Sequence, residues 1–261
     1  MIWLWLICFS GLWAHLLNAA EPAVLRGRIE LKDSRDPAVR KRADYSGVVV
    51  SLHSLDAHPR DAHPRDAHPR DAHPRDPHPH TAAPAKHLEI LQKDKMFRPH
   101  LLAVETGSII DFPNADPIFH NAFSSYSGQV FDIVLYPPGT SRSVRFARSG
   151  VVRVFCNIHS SMSAVIVVLD TPYFAVTSSD GQFQIEAPPG AYQMRIYHER
   201  ATEESLRALS RTVQLSGSQP LVPPVIQVSE AGYLPSPHKD KHGRDYPQGT
   251  DDRSVYPGVR K

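Results

Sequence analysis

Apolar and polar positions along the chain alternate in short runs, not at helical spacing, and the runs are set apart by Gly, Pro and Asp turns. Residues 24–31 (VLRGRIEL) alternate with period two, and residues 47–53 (GVVVSLH) form a β-branched block after a charged, exposed connection over 32–45. A second series begins at residue 87. It holds LEILQ at 88–92, a bend at 96–100 leading into 101–104, and a strand at 108–112. A hairpin follows, 131–136 and 141–146 around Pro137-Pro138-Gly139-Thr140, and then the apolar runs 150–155 and 163–169. After Asp170 a third series has strands at 174–177, 183–186, 192–198 and 211–215, with one or two helical turns within 201–209. Short strands with turn residues between them predict an all-β chain. The second series reads as a Greek-key sandwich or barrel, and the third as part of another β-sandwich.

Three segments lack this pattern. Residues 1–20 are apolar and uncharged and end Leu17-Asn18-Ala19-Ala20, which reads as a signal peptide cleaved near Ala20, with an uncleaved anchor as the alternative. Residues 56–86 open with the pentapeptide Asp-Ala-His-Pro-Arg four times over. A proline in every fifth position forbids a helix and favours an extended solvated linker. Six of the fifteen histidines lie there. In polyproline II, rings five residues apart point about 240° away from one another and do not converge. The plain reading is therefore a linker, with weak labile binding of copper or zinc as the alternative. Residues 231–261 are polar and rich in Pro and Gly, which reads as a disordered tail. The expected order is thus 1–20 signal peptide, 21–55 N-terminal strands, 56–86 linker, 87–170 first sandwich, 171–230 second sandwich, and 231–261 tail.

Charge narrows the function. With 29 basic against 27 acidic side chains the formal net charge is +2, so nothing draws the chain to nucleic acid or to an anionic membrane. Loss of residues 1–20 leaves no integral membrane segment and places the mature chain in the periplasm or outside the cell. That loss also removes Cys8 and all three tryptophans, Trp3, Trp5 and Trp13. Cys156 is then the sole thiol in an oxidising compartment, a liability unless it is buried or bonded.

Cys156 lies in the connection Cys156-Asn157-Ile158-His159-Ser160-Ser161-Met162 between two buried-strand patterns. Thiol, imidazole and thioether spaced three apart can all turn inward from one tight loop. With one further imidazole they make the His₂Cys set with a weak axial Met that favours copper and supports electron transfer. His120 supplies it, in the loop Asn114-Ala115-Asp116-Pro117-Ile118-Phe119-His120-Asn121. The plain alternative for each residue is a small buried cysteine and ordinary loop His and Met. His100 and His198 read as hydrogen-bonded structural histidines.

The Cys156-x2-His159-x2-Met162 spacing, with Asn114-x5-His120-Asn121 upstream, resembles the cupredoxins, most closely the short-loop amicyanin and plastocyanin-like group, over residues 87–170. The resemblance implies one type 1 copper, with His120, Cys156 and His159 equatorial and Met162 axial. It also implies that Asn121 ties the two ligand loops together beside the cysteine. Ile158 stands where a proline often precedes the second histidine in amicyanins. Residues 171–230, through Thr177-Ser178-Ser179-Asp180-Gly181-Gln182-Phe183 and Pro188-Pro189-Gly190-Ala191-Tyr192, resemble the carboxypeptidase regulatory-like (transthyretin- or starch-binding-like) sandwich. The opening strands of that family match 27–31 and 48–52, so the cupredoxin unit is expected to be inserted within it.

No second loop cysteine is present for a binuclear centre, and the one His-x-His pair, His78-Pro79-His80, falls in the linker. Met162 would fill the position a catalytic metal keeps open. The reading is therefore an electron carrier and no enzyme, without catalytic residues or an organic cofactor. Its exit would be the edge of His159, and Pro117, Ile118, Phe119 and Phe123 either form an apolar docking surface or belong to the core. The resemblance implies a redox protein partner such as a c-type cytochrome or a quinoprotein dehydrogenase. Two alternatives stand beside it. One is a surface module that binds protein or, weakly, carbohydrate through Tyr173, Tyr192 and Tyr197. The other is a copper carrier without a redox role.

Overall fold

The structure, a computed structural model, describes residues 21–56, 85–125, 128–217, 219–234 and 238–246. The expected signal peptide and nearly all of the pentapeptide linker lie outside the described residues.

The chain begins with β1 (Ala23–Lys32), a short helix α1 (Pro37–Arg42) and β2 (Val49–Ser54). The series from residue 87 supplies β3 (His87–Glu89), β4 (Leu91–Lys93), β5 (Met96–Arg98), β6 (Leu101–Glu105), β7 (Ile109–Pro113), β8 (His120–Ser124), β9 (Phe131–Tyr136), β10 (Ser141–Arg145), β11 (Gly150–Phe155) and β12 (Ser163–Leu169). The last series gives β13 (Phe174–Val176), β14 (Gln182–Ala187), β15 (Gly190–Tyr197), helix α2 (Glu203–Ala208), β16 (Arg211–Leu215) and β17 (Ile226–Ser229). Among the described residues the fold is all-β apart from two short helices.

Two sandwiches form. In one, a sheet of order β14-β1-β17 faces a sheet of order β13-β2-β15-β16. Leu25, Ile29, Val50, Leu52, Ile185, Met194, Leu215 and Val228 fill the space between them. β1 and β2, which precede the linker, thus pair only with strands that follow residue 173. In the other, a five-stranded sheet of order β6-β12-β11-β8-β9 packs over β10-β7-β3, with Ile110, Phe112, Phe146, Val152, Val154 and Ile166 between them. In sequence, strands 87–169 therefore interrupt the sandwich built from β1, β2 and β13–β17.

The junction explains the continuous apolar runs at 48–50 and 163–169. On β12, Ala164, Ile166 and Val168 enter the core of their own sandwich, while Val165, Val167 and Leu169 join Val49 of β2 and Ala103 of β6 in a separate cluster. β2 divides the same way, with Val50 and Leu52 on one face and Val49 on the other. A strand covered on both faces has no polar side to show, so its sequence does not alternate.

One expectation fails in this unit. The runs 131–136 and 141–146 do not form a hairpin: β9 pairs with β8 and β10 with β7, in different sheets. Pro137 and Pro138 lack the N–H groups a ladder needs, so the turn crosses from sheet to sheet. The connection 32–45 is exposed or half-buried apart from Val39, and α1 forms within it on an Asp36 cap whose carboxylate accepts the Ala38 N–H at 2.7 Å.

Candidate metal centre

β11 and β12 pair in register from Gly150↔Val168 to Phe155↔Ser163, so Cys156 to Met162 form the connecting loop at one end of the sandwich. The Cys156 N–H donates to the Met162 carbonyl at 3.2 Å and the Met162 N–H to the His159 carbonyl at 3.1 Å, which closes the loop tightly. Phe155 also pairs with Phe123 of β8, and this brings His120 and Asn121 alongside the loop.

The result is a buried cluster. Cys156 Sγ lies 3.9 Å from His120 Nδ1 and 3.6 Å from His159 Nδ1, and one ligand atom from each of the three residues falls within 4.8 Å of the others. An ion held about 2.0–2.3 Å from three donors in a plane separates them by about 3.5–4 Å, and the two distances from the sulfur fall in that range. The donor chemistry, one thiol and two imidazoles, suits copper. Met162 is fully buried in the adjoining core and returns to the loop through its backbone.

Asn121 Oδ1 accepts the Asn157 N–H at 2.7 Å and the Cys156 thiol at 3.4 Å, so one side chain links β8 to the cysteine loop. Asn114 shapes the other loop: its Nδ2 donates to the Ile118 carbonyl at 2.8 Å and its Oδ1 accepts the Asp116 N–H at 3.1 Å. A residue that the sequence reading did not single out completes the site. Asp116 Oδ2 lies 2.8 Å from His120 Nε2, and the two Asp116 oxygens also accept the backbone N–H groups of Asp94 at 2.6 Å and Lys95 at 2.9 Å. With Nε2–H directed at the carboxylate, Nδ1 presents its lone pair toward Cys156. Burial pushes the Asp116 carboxyl up. The Lys95 and Asp94 amides and His120 outweigh that and hold it below the ordinary carboxylate value.

Other expectations need correction. His159 is only 1 % exposed, so its edge does not open directly to solvent. Phe123 is buried at 2 % and packs on Phe155, which assigns it to the core, whereas Phe119 is 43 % exposed beside His120. The tail is not uniformly disordered: Tyr246 donates to the Cys156 carbonyl at 2.6 Å, and His238 stacks on Phe155. Aromatic rings within a polar segment supplied the contact surface. In the other sandwich Tyr192 is buried and donates to the Pro188 carbonyl at 2.8 Å, and the Tyr197 hydroxyl is buried too. With Tyr173 edge-on to Tyr192, these rings do not make an open stacking platform. His100 and His198 are the structural histidines expected, paired with Glu199 and Glu230 at 2.9 Å each.

Among the described residues no helix is long and apolar enough to cross a membrane. No protein-family model matches the chain, and no curated protein does. Solved structures with partial similarity include a purple cupredoxin from Nitrosopumilus maritimus, 20 % identical, covering 31 % of this chain and 99 % of that one at a TM-score of 0.29. Amicyanin from Paracoccus versutus is 16 % identical over 33 % of this chain and 85 % of its own, at a TM-score of 0.31. A copper-containing nitrite reductase from Thermus scotoductus SA-01 is 20 % identical over 31 % of this chain, which spans 22 % of that enzyme, at a TM-score of 0.30.

Proposed function

We propose that the chain is a type 1 (blue) copper protein that carries single electrons between redox partners, in the periplasm or outside the cell. The observation that carries this reading is the buried donor set, His120, Cys156 and His159, gathered at one end of a β-sandwich with donor atoms within 4.8 Å of one another. A copper ion there would supply a one-electron couple. Cys156 and the two imidazoles would hold it, and Met162, the fully buried thioether of the loop, would be a fourth donor.

The chain's own residues fit that task. Asp116 holds His120 in one tautomer and orientation, and Asn121 fixes the cysteine loop against β8. Donors set in place by packing and hydrogen bonds need little rearrangement between two oxidation states, which favours rapid exchange. With Met162 as a fourth donor the site would keep no open position for a substrate, which suits a carrier better than an enzyme. The exposed Pro117 and Phe119 beside His120 supply apolar surface for a redox protein such as a c-type cytochrome or a quinoprotein dehydrogenase. In this reading residues 87–170 are a cupredoxin unit inserted in an accessory sandwich of carboxypeptidase regulatory-like type, built from 21–55 and 171–230.

Protein-film voltammetry of the copper-loaded chain tests the carrier role. A reversible one-electron wave, absent in Cys156→Ser, is the expected result. Tight copper binding with no reversible wave would leave a copper carrier or store instead.

A further inference from the structure

The described part of the C-terminal segment, residues 238–246, lies against the loop that carries Cys156 and His159. The His238 ring stacks on Phe155, with centroids 4.2 Å apart and planes at 23°. Tyr246 donates its hydroxyl to the Cys156 carbonyl at 2.6 Å, and its ring meets His238 edge-on at 5.1 Å. The Lys241 backbone N–H donates to Asn157 Oδ1 at 2.9 Å, while its ammonium pairs with Asp132 of β9, also at 2.9 Å. These contacts reach both ends of the Phe155–Asn157 stretch and the neighbouring edge strand.

The segment is also organised within itself. Asp240 Oδ1 accepts the backbone N–H groups of His242 and Arg244 at 2.8 Å each, and Oδ2 receives the Arg244 guanidinium at 3.0 Å. The Asp240 N–H donates back to the Arg244 carbonyl at 2.9 Å, and Gly243, at φ 77°, allows the turn. A segment already folded into a turn loses less entropy when it docks than a free tail does. The ring stack and the hydrogen bonds to the loop therefore translate into occupancy.

From this we infer that residues 238–246 are a strap over the candidate ligand loop, one that slows access to Cys156 and occupies the surface through which a redox partner would approach His159. His159 is buried in the presence of this segment, although the comparable edge was expected to be the exit. Exchange with a partner then requires either transfer across the strap or its displacement. The shielding of the thiol stands without copper, whereas the effect on electron exchange rests on the copper reading.

The test uses the full chain in a Cys8→Ser background, metal-free, and follows alkylation of Cys156 by iodoacetamide with mass spectrometry. Loss of a stacked ring and a carbonyl hydrogen bond predicts that His238→Ala/Tyr246→Phe reacts about tenfold faster or more, because the loop opens more often. His238→Phe, which keeps a ring to stack, should react close to the parent rate. A double variant within about twofold of the parent would overturn the strap. Loaded with Cu(II), the double variant should also be reduced faster by a small-molecule reductant. Failure to form any thiolate–copper band would remove the copper reading yet leave the alkylation result standing.

Discussion

Asp116 shows what one side chain can hold together. It accepts from two backbone amides and faces His120, so it orients a candidate ligand and also closes the 94–95 turn. Asp116→Ala leaves buried donors without a partner, at about 1–3 kcal/mol of stability in the metal-free protein. It should also weaken copper binding by about 10–100-fold, as removal of an outer partner of a ligand histidine does. Urea unfolding and competitive copper titration check the two effects, and an unchanged copper affinity would show that Asp116 is structural only. The cluster His120, Cys156 and His159 was legible because its residue types are scarce: one cysteine outside the first twenty residues, and histidines at fixed loop spacing. Asp116 was not, because an Asp before a Pro reads first as a turn former. The contacts of His238 and Tyr246 were hidden for a similar reason, since a polar, Pro-rich stretch gives no local sign that its rings pack on a loop about 80 residues earlier.

Among the elements, β12 is packed on both faces. Ile166→Ala removes a fully buried side chain between the sheets and is expected to cost about 2–5 kcal/mol, read as a fall in the denaturation midpoint. A cost near zero would contradict the placement of Ile166 between the sheets. Turn chemistry sets a second requirement. Gly181 has φ 81°, and an added Cβ would meet the Ile29 carbonyl oxygen at 2.0 Å, so Gly181→Ala is both strained and obstructed. It should destabilise by more than about 1 kcal/mol, measured by the same unfolding. Strand existence was readable from apolar runs and turn residues throughout. Strand partnership was not: β9 and β10 are adjacent in sequence, yet they belong to opposite sheets because each completes an edge there. Helix α1 did carry a legible signal, Asp36-Pro37 before Ala38, which is a cap followed by proline in the first turn. β17 pairs parallel to β1 from about 200 residues away, which no local pattern announces.

Across the whole molecule, the two sandwiches meet through an apolar cluster flanked by a charged contact. His100 at the start of β6 donates to the Ser163 carbonyl side at 3.0 Å and pairs with Glu199 of the other sandwich at 2.9 Å, with Arg200 and His198 nearby. The hydrogen bond to Glu199 is the main reason that the His100 pKa is raised above its ordinary 6.5, against the opposing effect of burial. Burial pushes Glu199 up, but the His100 hydrogen bond and the surrounding cations hold it below its ordinary 4.5. A raised histidine stabilises the fold below 6.5 and loses that contribution as pH rises through the raised value. A depressed carboxylate stabilises above 4.5 and loses it as pH falls through the lowered value. The contact is therefore complete between pH 4.5 and 6.5 and fades on either side. The half-exposed histidine limits its worth to under about 1 kcal/mol. Thermal unfolding of the parent and Glu199→Gln across that range should show the largest gap inside the window, and a gap independent of pH would exclude the pair as its source.

A copper held by Cys156 with His120 and His159 should be visible in the absorption spectrum of the protein with one equivalent of Cu(II), recorded beside Cys156→Ser. The expected result is an intense thiolate-to-copper band in the parent that vanishes in the variant. A parent that takes up copper without such a band, or a band that persists in Cys156→Ser, would contradict it.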